Sequence, residues 1–131
     1  MGCQWDVTCN WIANNGDKKS ITDSSTWENY SNYNTANNYT EGDTGYESGA
    51  GSKQNTGSSE NWKANNIYDF VGNCYEWTQE ANSTDIRACR GGIYFGNGSE
   101  RSAIYRSYGY PNVSSDITVR FSTYFNSETM I

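Results

Sequence analysis

Between Cys3 and Asn14 the apolar residues Trp5, Cys9 and Ile12 recur at i, i+4 and i+7, the spacing of one helical face, and Asn14-Asn15-Gly16 closes the run. The pattern predicts a short helix. From Asp17 to Trp62 the chain is dominated by Asn, Ser, Thr, Gly and Tyr and keeps neither a period of 2 nor one of 3.6, which predicts turns and long loops. A compact domain carries so long an irregular stretch only where it is functional or pinned. From Asn66 onward, short strand-like runs stand at Cys74–Thr78, Ile86–Cys89, Ile93–Phe95 and Thr118–Phe125, separated by Gly, Asn and Ser. They predict a small irregular sheet.

Composition changes this picture in one respect. The 131 residues suit a single domain over 1–131, yet only 34% are hydrophobic and the mean hydropathy is -0.89, so aliphatic side chains are too few to build a core alone. Five Trp, eleven Tyr and four Phe must supply much of the burial. A disordered chain is poor in aromatics, so the polar bulk indicates a folded, loop-rich domain. A net charge of -6 argues against a phosphate backbone as partner, and no nucleic-acid ligand is expected. No run approaches the ~18 apolar residues of a membrane helix, and membrane insertion is not expected. The absence of histidine excludes Ser-His-Asp and Cys-His catalysis and any His-ligated metal. Cys3, Cys9, Cys74 and Cys89 form no zinc spacing; Cys74 and Cys89 either bridge two neighbouring strands or are small buried hydrophobes.

The most informative stretch is Asn66-Ile-Tyr-Asp69-Phe-Val-Gly72-Asn-Cys74-Tyr-Glu76-Trp77, followed by Arg90-Gly91-Gly92. Two carboxylates, a glycine turn and a large aromatic within nine residues suit a loop tied by a cation. The alternative is that Asp69 caps a turn and Glu76 pairs with an arginine such as Arg90 or Arg120.

The Asp69–Thr78 run, Arg90-Gly-Gly92 and Arg120 near the end of the chain resemble the formylglycine-generating-enzyme (sulfatase-modifying factor) family, with its Gly-Asn-x-Trp-Glu-Trp loop, Arg-Gly-Gly turn and Gly-Phe-Arg strand. Gln4-Trp5-Asp6 resembles the acidic-Trp helix that precedes this region. The resemblance implies an α+β, C-type-lectin-like fold: a small twisted antiparallel sheet, few short helices and long irregular loops, here without the family's upstream strands. The branch it resembles more closely is that of the variable proteins of diversity-generating retroelements, in which an exchangeable ligand-binding segment follows the Arg-Gly-Gly turn. Departures are Tyr75 where the family shows Trp, and Thr118-Val119 where it shows Gly-Phe. The family's catalytic cysteine pair falls at Gly96 and Arg101, and no cysteine lies beyond Cys89. Copper and oxidative chemistry on a substrate thiol are therefore not expected, and neither is an enzyme. The resemblance also implies a structural Ca2+ ion held by the side chain of Asp69, the carbonyls of Gly72 and Cys74, and the carboxylate of Glu76.

The resemblance marks 93–116 as the variable segment, and its composition agrees: four Tyr, five Ser, two Asn and three Gly make fourteen of its 24 residues. Paratopes use this mixture because tyrosine gives rigid amphipathic contact and the small polar residues adapt their hydrogen bonds. Tyr94, Phe95, Tyr105, Tyr108 and Tyr110 are the expected anchors, with Asn97, Glu100, Arg101, Ser107, Asn112, Ser114 and Asp116 around them. Arg106 and Arg120 are expected to tie the frame, and Ala103 and Pro111 to serve packing and turn. The function expected is recognition of a protein or glycan receptor on a cell surface, from a phage virion or from a bacterial surface or secreted setting, with an oligomer such as a trimer compatible with it. A degenerate enzyme of the same family and a calcium-dependent lectin are the alternatives.

Overall fold

The computed structural model describes residues 2–112 and 114–121. Its elements are helix α1 (Gly2–Asn15), the single-turn helix α2 (Tyr33–Ala36), and strands β1 (Lys63–Ala64), β2 (Ile67–Tyr68), β3 (Tyr75–Ala81), β4 (Arg87–Arg90), β5 (Arg106–Gly109) and β6 (Ile117–Thr118). β1 and β2 form a two-stranded antiparallel hairpin. The main sheet has the order β5-β4-β3-β6, with β3, β4 and β5 antiparallel and β6 running parallel to β3. The domain is thus mixed α+β, with few helices and an antiparallel-rich sheet. Among the described residues no helix is long and apolar enough to cross a membrane.

The helical stripe does what its spacing dictates: Trp5, Cys9 and Ile12 are all buried, against Trp27, Tyr30, Phe70, Val71 and Ala103. Trp5 stacks on Phe70 at 4.4 Å between ring centroids, 16° from parallel, a contact worth about 1 kcal/mol beyond its area. Its indole N–H donates to the Ala103 carbonyl at 2.7 Å, so the polar edge of the ring is satisfied inside. A second, smaller cluster of Tyr75, Cys89 and Ile93 lies beneath the sheet, with Trp77, Tyr94 and Ile117 packed on it. All four cysteines are free thiols; burial pushes the Cys9 thiol up to about 12, and Cys89 packs as an apolar side chain.

One expectation needs correction, and two features go beyond what the sequence indicated. The Ile93–Phe95 run is a turn, not a strand, because Gly96 N–H bonds back to the Ile93 carbonyl while Tyr94 N–H is taken by Asn73. Strand β5 was not expected, since Arg-Ser-Tyr-Gly carries no aliphatic residue; pairing with β4 makes it a strand. The loop-rich stretch before Trp62 contributes to the core: Trp27, Glu28, Asn29, Tyr30 and Tyr33 are all buried. Of the strand expected over Thr118–Phe125, β6 takes up Thr118, and 122–125 lie outside the described residues.

Candidate functional site

The loop from Asn65 to Asn73 is bent by five left-handed residues: Asn65, Asn66, Asp69, Gly72 and Asn73. Asn, Asp and Gly are the residue types that tolerate this conformation, which is why the motif is rich in them. Gly72 has φ +68°, and a Cβ there would lie 2.2 Å from the Asn29 carbonyl oxygen, so glycine is required by conformation and by space. Backbone bonds weld the turn to its surroundings: Gly72 N–H to Gly91 O at 2.6 Å, and Asn73 N–H to Asn29 O at 2.8 Å. The Asn73 amide donates to the Gln54 carbonyl at 2.9 Å and accepts from the Gln54 N–H at 2.9 Å. Asn29 donates to Ser52 O at 2.8 Å and accepts from Gly51 N–H at 3.1 Å. These two asparagines, buried and fully used, clamp the 51–54 loop onto the acidic loop, and an Asn-rich sequence gives no local sign of it.

A cavity of about 350 Å³ opens on this loop, lined by Asp69, Asn73, Cys74, Glu76, Lys53 and Arg120 among others. The four positions implied as calcium ligands border it or lie in its turn. Of the two carboxylates, Glu76 accepts from Arg120: Nη2 to Oε1 at 2.6 Å, and Nε to Oε1 and Oε2 at 3.0 and 3.1 Å. The same Nη2 donates to the carbonyls of Tyr68 and Asp69, at 3.1 and 2.9 Å. Asp69 Oδ2 accepts from Gly57 N–H at 2.9 Å, while Oδ1 is buried without a partner. Among the described residues no group of three or more His, Cys, Asp or Glu converges as a metal cage. One free carboxylate oxygen beside a guanidinium is a poor fit to a divalent ion, which takes six or more oxygens. Of the two arginines considered as partners for Glu76, Arg120 is the one that pairs with it.

Beneath this loop lies Glu28, fully buried, with Oε2 accepting a long 3.4 Å bond from Val71 N–H and Oε1 unpartnered. Burial, and then the charge of Asp69, holds its carboxyl well above the usual value of 4.5. A carboxyl raised on folding adds stability below its unfolded pKa, and this is lost as pH rises through the folded value. Glu28→Gln keeps an acceptor for Val71 and removes the charge. The expected outcome is a variant at least as stable as the parent at neutral pH, with a shallower decline of stability between acid and neutral pH. Urea titrations across that range measure both.

The expected recognition residues divide among three roles. Phe95 and Tyr110 are well exposed, at 55% and 66%, and Tyr105 and Tyr108 are exposed as well. Glu100, Asn112 and Ser114 are also at the surface. Asn97, Ser107 and Asp116 are engaged by the frame: Asn97 Oδ1 accepts from Asn32, Ser107 O from the Cys89 thiol, and Asp116 O from Tyr75 N–H. Tyr94 is half-buried on the second cluster. The tyrosines do not all share one face. Arg106 and Tyr108 both reach Glu80 on the α1 side of the edge strand, whereas Tyr105 lies within electrostatic range of Tyr75 and Arg101. The Arg101 guanidinium donates to Tyr75 Oη at 2.6 Å, and Phe95 meets Tyr94 edge to face at 5.1 Å. Tyr94 and Arg101 thus both adjoin the Tyr75 cluster, and Phe95 adjoins Tyr94.

The frame behind this surface rests on a ring of charges that sequence spacing does not disclose. Arg90, completely buried, reaches Asp6 at 2.5 Å and Glu80 at 3.1 Å; Arg106 reaches the same two acids at 2.6 and 2.7 Å. Arg90 also lies over the Trp5 ring at 5.9 Å. The ring joins α1 to β3, β4 and β5. Gly92, with φ +76° and a Cβ position 2.3 Å from Arg101 O, completes the Arg-Gly-Gly turn. Comparison with known protein families, with curated proteins and with solved structures gives no match to this chain.

Proposed function

We propose that the chain is a non-enzymatic recognition domain on a C-type-lectin-like frame, binding a protein or glycan receptor at a cell surface through the Phe95–Tyr105 patch. The observation that carries this reading is the exposure of Phe95 and Tyr105 on a backbone held by buried glycines, asparagines and ionic pairs. Aromatic anchors already fixed in place do not bear the cost of ordering when they bind. Arg101, held by its bond to Tyr75 Oη, adds a guanidinium beside these aromatics. The proposed setting is a phage tip or a bacterial surface, as the variable-protein resemblance suggests.

The test uses labelled protein on a panel of whole bacterial cells and on immobilised glycans. Phe95→Ala with Tyr105→Ala should reduce binding at least tenfold, the loss of one or two anchors worth about 1–2 kcal/mol each, with the thermal midpoint unchanged within about 2 °C. Equal binding by parent and variant rules the patch out. Competition by free monosaccharide would assign the glycan class rather than protein.

A further inference from the structure

The Asp69–Glu76 loop has the composition of a cation site, and the structure brings a cation to it from within the chain. We infer that Arg120 is the resident cation of this loop, taking the place a divalent metal would occupy, so that the loop closes without one. Three bonds of 2.6–3.1 Å run from its guanidinium to Glu76 and two more to the carbonyls of Tyr68 and Asp69. A metal in such a loop does the same two things, neutralising a buried carboxylate and collecting inward-facing carbonyls. A planar guanidinium with five donors can do both.

The geometry leaves an incoming ion little to bind. Both Glu76 oxygens are engaged, and Asp69 Oδ2 is taken by Gly57 N–H, so Asp69 Oδ1 is the one acidic oxygen in the loop without a donor. A divalent ion would also sit against a fixed positive charge. Arg120 lies two residues beyond β6, and β6 pairs with Tyr75 and Glu76 of β3, so the segment that carries the guanidinium is held beside the acid it neutralises. Loop closure and the docking of β6 become a single event. This inference concerns the frame and stands apart from the recognition reading: cell binding by the aromatic variants tests one, and metal titration tests the other.

The experiment compares the parent chain with Arg120→Gln, following terbium luminescence sensitised by nearby tryptophan and the thermal midpoint in chelator or in calcium. The parent should show no saturable terbium signal and the same midpoint in both buffers. Arg120→Gln should be less stable in chelator and gain roughly 5 °C or more at saturating calcium, because the freed carboxylates now bind it. If the variant unfolds in chelator, calcium should restore its near-ultraviolet circular dichroism. A calcium-dependent rise in the parent overturns the inference, and so does a variant that calcium neither stabilises nor refolds.

Discussion

Replacing Arg90 with methionine should cost about 3 kcal/mol, which for a chain of this size lowers the thermal midpoint by roughly 10 °C. Arg90 has no exposed surface and holds Asp6 and Glu80 together from inside. Methionine keeps most of the volume but leaves both acids to Arg106 alone, across the interface between α1 and the sheet. Removing one partner from a buried charge network is costly because the desolvated remainder stays behind. Arg106→Ala, at the half-exposed side of the same ring, should cost only about 1 kcal/mol. The double variant should exceed the summed effects, since in each single variant the remaining arginine still serves both acids. Chemical denaturation of the three variants measures this. An Arg90→Met protein as stable as the parent would mean that the ring does not hold α1 to the sheet.

Gly72→Ala should be among the most damaging single-methyl additions at the described glycines. Left-handed backbone costs a non-glycine residue about 1–2 kcal/mol, and a Cβ placed 2.2 Å from the Asn29 carbonyl oxygen must displace a clamped backbone. Overpacking of this kind adds about 1–3 kcal/mol, so a loss of roughly 2–5 kcal/mol is expected. Gly57 supplies the control, with φ +78° and nothing within 4 Å of its Cβ position. Gly57→Ala should therefore show the conformational cost alone, about 1–2 kcal/mol. Equal losses for the two variants would assign the whole effect to backbone conformation and none to the Asn29 contact.

What the sequence discloses follows from how local each cause is. The α1 stripe and strands β3 and β4 were legible because a helix and a half-buried strand impose their own periods on neighbouring residues. Strand β5 was not, since an edge strand with a polar or glycine residue on each face has no period to read. Ile93–Phe95 misled because an apolar run bounded by glycines fits a turn as well as a strand. For the acidic loop, pairing of Glu76 with an arginine was legible and the choice of arginine was not, because only the folded chain brings Arg120 within reach. The Asp6–Glu80–Arg90–Arg106 ring spans 100 positions and has no local signature. The burial of Glu28 and Asn29 was equally hidden, because polar residues enter a core only through partners that folding supplies. The aromatic content pointed correctly to a core of Trp, Tyr and Phe, but not to which of them would remain outside.

That division of the aromatics is the claim on which the recognition reading stands, and hydroxyl-radical footprinting read by mass spectrometry tests it most directly. Oxidation should be fast at Phe95, Tyr105 and Tyr110 and slow at Trp27, Tyr30 and Trp62, which are buried. Rapid labelling of the second group, or protection of Phe95 and Tyr105 in the isolated chain, would contradict an outward-facing patch on a closed frame.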